Sequence, residues 1–186
     1  MGLDMYLVKK LDVKKWSFIK EEDTFEVKVT KWGKEFKHID LSKICSISVD
    51  EMYWRKANQI HNWFVQNVQN WVDDCGEYNV SHEKLEELKK VVTEVFNSIE
   101  LIDWAVENWK EFINWKFVPC VEKWKIIKNP TIAKTLLPVK SWFFYWGTWY
   151  DEYYYSDIKE TKEWLDQLFA DKESIENYEF FYSSSW

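Results

Sequence analysis

The sequence predicts a single α+β domain over residues 1–186, with a mostly antiparallel sheet and several packed helices. Two patterns predict this fold: apolar residues alternate in some segments, as in half-buried strands, and recur every three or four residues in others, as in helices. The segments follow the order strands, helices, hairpin, helix and strand, and neither a repeat nor a linker interrupts them. This order suits one α+β domain.

Short runs of alternating or β-branched residues predict the strands. They cover residues 3–9, 25–32, 44–49 and 178–182, with a brief extended segment at 78–80. Gly33 and Lys34 are predicted to turn the chain toward residues 36–39. The aromatic-rich residues 141–155 are predicted to form a hairpin, with Gly147 near its turn.

Hydrophobic stripes and capping residues predict the helices. Asp50 is expected to cap a helix over 51–70, whose apolar stripe consists of Tyr53, Ala57, Ile60, Phe64 and Val68. The remaining helices are predicted at 82–97, at 100–115, between Asn129-Pro130 and Pro138, and at 158–170 behind an Asp157 cap.

The charge balance and the cysteines restrict the class of protein. Lys and Arg number 25 against 32 Asp and Glu, a net charge of −7, which argues against binding duplex nucleic acid but allows a local basic pocket for one small anion. Cys45, Cys75 and Cys120 lack metal or redox spacing. Neither a secretory signal nor a run of 18 apolar residues is present, so we expect a cytoplasmic protein without a membrane partner.

The first polar cluster lies in the predicted helix 51–70. Trp54, Asn58 and His61 stand at i, i+4 and i+7 and would share one helix edge. Arg55 and Lys56 add positive charge beside them. A stacking ring, an amide and an imidazole together suit a planar polar ligand. The alternative is that the cations are solvated and His61 is a hydrogen-bonded boundary residue.

The second cluster is acidic. Asp73, Asp74 and Glu77 lie in one turn and could hold a divalent cation, although their spacing does not match a calcium loop. Helix termination and pairing with nearby cations are the favoured interpretation, so no metal site is predicted. Cys75 would need a base such as His61 to act as a nucleophile, which is the weaker alternative.

The third cluster lies in the predicted hairpin. Alternation would place Asp151, Tyr153 and Tyr155 on one face of a strand. Tyrosine offers stacking area and a hydroxyl group, which favours recognition. The alternative is ordinary cross-strand aromatic packing. Asp151 and Glu152 would point to opposite faces, which weakens an acid–base pair.

These clusters favour a binding protein over an enzyme, because the sequence has no phosphate loop, dinucleotide fingerprint or nucleophile elbow. We predict no catalytic residue and no cofactor, and we leave homo-oligomers open. The expected ligand is a small nucleotide-like molecule, whose base would stack on aromatic rings, whose phosphates would meet cations and whose ribose would meet carboxylates. The predicted binding residues are Trp54, Arg55, Lys56, Asn58, His61, Asp73, Asp74, Asp151, Tyr153 and Tyr155.

Four stretches resemble a family of small uncharacterised proteins of bacteriophages and their bacterial hosts. They are residues 1–7 (MGLDMYL), 53–64 (YWRKANQIHNWF), 73–78 (DDCGEY), and 136–138 with 150–155 (LLP and YDEYYY). The resemblance implies an accessory or counter-defence protein of the host cytoplasm, and some such proteins sequester nucleotide immune signals. The alternatives are a metal-dependent hydrolase of such a nucleotide and a protein-binding inhibitor of a host factor.

The chain holds 14 Trp but only 4 Gly, whereas ordinary usage predicts about 13 Gly at this length. Relative to the family pattern, Trp71, Trp142 and Trp146 stand where Gly is usual, while Trp54 and Trp63 match as Trp. Gly is used where the backbone needs φ > 0 or a close approach, so such replacements are costly. Our hypothesis is that some of these Trp codons are UGA, which the native host reads as Gly.

Overall fold

The computed structural model describes residues 2–15, 17, 19–21, 24–113, 115–140, 149–171 and 175–186. The strands are β1 (Asp4–Asp12), β2 (Thr30–Lys31), β3 (Lys34–Glu35), β4 (Ser46–Arg55), β5 (Tyr78–Val80), β6 (Leu101–Ile113), β7 (Lys116–Ile127) and β8 (Glu179–Ser185). The helices are α1 (Asn58–Asn67), α2 (His82–Ser98), α3 (Thr131–Leu136) and α4 (Glu152–Ala170). The predicted α+β class is confirmed.

Four antiparallel strands form the central sheet, in the order β4-β1-β8-β5. Alternate residues of the two inner strands are fully buried, among them Met5 and Leu7 of β1 and Phe180 and Tyr182 of β8. The intervening Tyr6 of β1 is exposed. One face of the sheet therefore carries the core and the other is open to solvent, as is common in antiparallel sheets. The hairpins β2–β3 and β6–β7 are separate two-stranded sheets.

The helices complete the core. The buried residues of α2 are Leu85, Leu88, Val92 and Val95, which follow the three-and-four spacing of one helix face. Those of α4 are Tyr154, Ile158, Thr161, Trp164, Leu165 and Leu168. Both faces join one buried cluster with the sheet, and each fully buried large apolar side chain contributes about 1.5–3 kcal/mol to folding. Apolar burial therefore fixes the helices against the sheet.

Several predicted elements are confirmed with bounds within about three residues. The strands at 3–9, 78–80 and 178–182 correspond to β1, β5 and β8. The helix at 82–97 corresponds to α2, and Ser81 caps it by accepting a hydrogen bond from the N–H of Lys84. The short helix after Asn129-Pro130 is α3, which ends before Pro138.

Two predicted helices are wrong because long-range strand pairing overrides a local helical spacing. The predicted helix 51–70 is divided: β4 continues to Arg55 by pairing with β1, and α1 begins only at Asn58, so Asp50 lies inside a strand and does not cap a helix. The predicted helix 100–115 is strand β6, which pairs along its length with β7.

The predicted strand at 150–155 is also wrong. Asp151 accepts hydrogen bonds from the N–H groups of Tyr153 and Tyr154 and so caps α4, which begins at Glu152. Asp157 is therefore an interior residue of α4 and not its cap. The rest of the predicted hairpin, residues 141–148 with the Gly147 turn, lies outside the described residues. Only residues 30–31 of the predicted strand 25–32 form a strand.

Asp157 is half-buried on α4, and the charges of two other carboxylates act on it. Its Oδ2 accepts a hydrogen bond of 2.8 Å from Nε2 of Gln59. Burial raises the pKa of Asp157 to about 7, and the negative charges of Glu160 and Asp151 act in the same direction. The folded protein therefore holds a proton that the unfolded chain releases near pH 4, and this contribution to stability is lost as the pH rises toward and past 7.

We predict that Asp157→Asn is more stable than the parent at pH 8, on the order of a few kcal/mol, because Asn keeps the acceptor for Gln59 without a buried charge. The difference should shrink as the pH is lowered to 4. Urea unfolding between pH 4 and 8 measures it. Asp166→Asn is the control on the same helix, since the hydrogen bonds from Lys162 and Lys89 lower the pKa of Asp166. Equal pH slopes for Asp157→Asn and the parent would contradict the prediction.

Candidate functional site

Most of helix α1 is buried, including its polar residues up to Asn62. All residues from Asn58 to Val65 are buried, and four of them are polar: Asn58, Gln59, His61 and Asn62. Buried polar groups are costly unless they have hydrogen-bond partners. The buried polar groups of α1 therefore indicate where a candidate functional site lies.

A small recess beside α1, here called the α1 pocket, collects several of these groups. Its enclosed volume is about 20 Å³, which is room for about one water molecule. The lining residues are Leu3, Asn58, His61, Asn62, Val65, Asp73, Lys140 and Trp186. An imidazole, two amides, a carboxylate, an ammonium group and an indole thus meet at one place.

His61 forms a chain of hydrogen bonds at the base of the α1 pocket. Its Nδ1 lies 2.7 Å from the hydroxyl oxygen of Tyr182, and its Nε2 lies 3.1 Å from Oδ1 of Asp73. Burial lowers the pKa of His61, and the carboxylate of Asp73 opposes this only partly. The imidazole is therefore neutral near pH 7.

The partners of His61 decide which nitrogen carries its proton. An ionised carboxylate can only accept, so Nε2–H donates to Asp73. Burial raises the pKa of Tyr182 well above its ordinary value, so this residue keeps its proton and donates it to Nδ1. Both ring nitrogens are thus satisfied, and neither is left to serve as a base.

Asp73 and Asn58 connect the α1 pocket to distant segments. Oδ1 of Asp73 also accepts a hydrogen bond of 3.3 Å from Nε1 of Trp186. Oδ1 of Asn58 accepts one of 3.1 Å from the backbone N–H of Lys140. These two bonds hold the indole and the lysine backbone at the rim of the recess.

Asn62 supplies an acceptor that the protein leaves unused. Its Oδ1 is buried and has no hydrogen-bond partner among the described residues. An orphaned buried amide oxygen is uncommon, because it loses its hydration without a replacement. Asn62 is one of the residues that line the α1 pocket, where a water molecule or a ligand donor can satisfy this oxygen.

The structure brings three of the ten predicted binding residues together: Asn58, His61 and Asp73 line the α1 pocket. Trp54 lies instead in the core, where Nε1 donates to Oγ1 of Thr161 at 2.8 Å. Arg55 is exposed at the end of β4, and Lys56 is exposed in the link from β4 to α1. The backbone N–H of Lys56 donates to the carbonyl oxygen of Leu3, which places this link beside the pocket wall.

The acidic residues after Asp73 have separate partners. Asp74 accepts hydrogen bonds from the N–H of Gly76 at 2.8 Å and from the hydroxyl of Tyr78 at 3.0 Å. Glu77 forms an ion pair with Lys10. Within the described ranges, no group of three or more His, Cys, Asp or Glu side chains could hold a metal ion.

The third cluster lies at the start of α4 and contributes none of the described lining residues of the α1 pocket. Asp151 uses its carboxylate as the helix cap. Tyr153 is exposed, and Tyr155 stacks on Phe96 with the ring centroids 5.7 Å apart. Sequence reasoning missed Lys140, Trp186 and Tyr182, because only the folded chain brings them to His61. Asn62 lies within the helix motif, and its place one residue after His61 could have indicated it.

Comparisons with protein-family models, with curated proteins and with solved structures found no match for the chain. In the described part of the chain, no helix has both the length and the apolar run that a bilayer crossing requires.

We predict that Asp73→Asn lowers the pKa of His61 further, because the carboxylate is the group that favours the imidazolium form. NMR titration of the His61 ring protons measures the change, and His61→Gln assigns the signal. The control is Asp74→Asn, which removes a neighbouring carboxylate that accepts hydrogen bonds from Gly76 and Tyr78. This variant should leave the pKa of His61 unchanged. A raised or unchanged pKa in Asp73→Asn would be evidence against the proton arrangement derived above.

Proposed function

We propose that the chain binds and holds a small, anionic, nucleotide-like ligand at the mouth of the α1 pocket. The observation that carries the proposal is the unpartnered amide oxygen of Asn62 in a recess that is also lined by Lys140 and Trp186. These groups offer an acceptor, a positive charge and a flat ring to one molecule.

The size of the recess limits how the ligand enters. About 20 Å³ admits one polar group and no ring, so an exocyclic amine or a hydroxyl group would reach Asn62 while the rest of the ligand stays at the mouth. There a base can stack on Trp186, which is worth about 1–3 kcal/mol. A phosphate would meet the ammonium group of Lys140 through charge-assisted hydrogen bonds.

Asp73 can also contact the sugar of a ligand that is bound in this way. Its two described hydrogen bonds, from His61 and Trp186, both use Oδ1. A carboxylate has about four acceptor sites, so Oδ2 can accept from a ribose hydroxyl. Arg55 at the end of β4 and Lys56 in the link beside the pocket wall add positive charge to this side of an acidic molecule.

The arrangement favours holding a ligand over cleaving it. His61 has both ring nitrogens engaged, by Tyr182 and Asp73, and no Ser, Thr, Cys or Lys side chain bonds to it among the described residues. We propose that the biological role is sequestration of a nucleotide signal, as the resemblance to phage accessory proteins implies.

Titration calorimetry against a panel of cyclic dinucleotides and ADP-ribose derivatives tests the proposal. For the ligand that binds, Lys140→Met should weaken affinity by about ten- to hundredfold, the usual contribution of a hydrogen bond to a charged group. Lys125→Met removes the same charge from an exposed position on β7 and should change little.

Chromatography after incubation, with and without Mg²⁺ or Mn²⁺, should return the ligand intact. Cleavage would replace the binding role with a hydrolase. Absence of heat with every ligand, from protein shown to be folded by circular dichroism, would overturn the proposal.

A further inference from the structure

Three tryptophans adopt a backbone conformation that bulky residues rarely adopt. Their φ angles are 54° at Trp32, 66° at Trp71 and 60° at Trp115. In this left-handed region Cβ comes too close to the following carbonyl oxygen, so only Gly, and sometimes Asn or Asp, visits it routinely. Five non-glycine residues in the described ranges have a positive φ, and three of them are tryptophan, whose bulky side chain is poorly suited to this conformation.

The side chains of these tryptophans do not offset the strain. They are 92% exposed at Trp32, 69% at Trp71 and 90% at Trp115. Burial of a large ring could hold an unfavourable backbone in place, but rings this exposed bury little apolar area. The left-handed conformation is thus imposed by the chain around each residue.

Each of the three positions lies where turn geometry requires a positive φ. Trp32 and Gly33, with φ of 54° and 74°, form the two-residue link between β2 and β3, as in a type I′ turn. Trp115 lies in the two-residue link between β6 and β7 and follows Asn in the sequence. Asn-Gly is a preferred pair in such a link.

Trp71 also follows an asparagine. Asn70 and Trp71 have φ angles of 50° and 66° just after α1. The N–H of Trp71 donates to the carbonyl oxygen of Val65 at 2.9 Å, which holds the backbone in place. Two of the three sites therefore contain Asn-Trp where the conformation favours Asn-Gly.

We infer that positions 32, 71 and 115 are glycine positions of this fold, and that their codons are UGA, read as glycine in the cell that makes the protein. Genetic codes differ in whether UGA is a stop, tryptophan or glycine, so a tryptophan reading would place an indole at each site. The same cause would lower the Trp count from 14 to 11 and raise the Gly count from 4 to 7, so it accounts for part of both deviations. Trp142 and Trp146 lie outside the described residues and carry no part of this argument.

Three buried tryptophans, in contrast, have side chains that the fold uses. Trp54 and Trp164 are core residues whose indole N–H groups donate to Thr161 and Glu51. Trp63 is buried on α1 with its ring edge against Phe64. These three side chains are used by the fold, so their codons should be UGG. The exposed indoles at 32, 71 and 115 would then not be a docking surface.

The coding DNA gives the first test. We expect UGA at codons 32, 71 and 115 and UGG at codons 54, 63 and 164. UGG at 32, 71 and 115 would overturn the inference, as would UGA at the three buried positions.

Stability measurements give a second, independent test of the glycine preference. Each of Trp32, Trp71 and Trp115 is replaced by Gly and, separately, by Ala, which removes the indole but keeps Cβ. Gly should raise the melting temperature over Ala by about 2–4 °C at each position. At Trp149, which is exposed and is not among the residues with positive φ, Gly should instead be less stable than Ala. A higher melting temperature for Ala at 32, 71 and 115 would overturn the inference.

Discussion

The buried imidazole of His61 joins three parts of the molecule that are distant in sequence: helix α1, strand β8 and the segment after the helix. A neutral histidine needs one donor and one acceptor, and Tyr182 and Asp73 supply them. Because the bond to Tyr182 is buried and the bond to Asp73 is partly buried, any other rotation of α1 would leave polar groups unsatisfied. The ring of Phe64 stacks on Tyr182 at 4.0 Å and fixes the same orientation by apolar contact. The α1 pocket exists because the helix is held in this one position.

The sequence predicted elements well where local spacing and packing agree. The buried residues of α2 recur at helical intervals behind a Ser81 cap, so local pattern and tertiary contact give the same answer. The prediction at 51–70 was wrong because Tyr53, Ala57 and Ile60 fit a helical spacing, while β4 is extended through its pairing with β1. Pairing between distant strands cannot be read from a window of a few residues.

Two other errors have a more specific cause. Residues 100–115 contain no recognisable turn, because Trp115 occupies the place where glycine would have marked the hairpin between β6 and β7. The dense aromatics at 150–155 were interpreted as a strand, although Asp151 is a good capping residue followed by a helical stripe through Tyr154 and Ile158. A missing turn signal led to the first error, and a competing local pattern led to the second.

The candidate site was only partly predictable for a related reason. Asn58 and His61 are close in sequence and remain close in space, and Asp73 follows on the same side. Trp54 was predicted to share a helix edge with Asn58 and His61, but it lies in strand β4 and belongs to the core. Lys140 and Trp186 reach the pocket through the long-range contacts of Asn58 and Asp73, which no motif spacing encodes.

The pairing of β1 with β8 has a consequence for the order of events during synthesis. Asp4 pairs with Ser185, so the two inner strands of the sheet are far apart in the sequence, and β8 is synthesised long after β1. At about 5–20 residues per second, β1 spends roughly 10–35 s without this partner. Contacts between such distant segments also form slowly. Because Trp186 follows β8 directly, the rim of the α1 pocket can assemble only after the ribosome has synthesised β8 as well as α1.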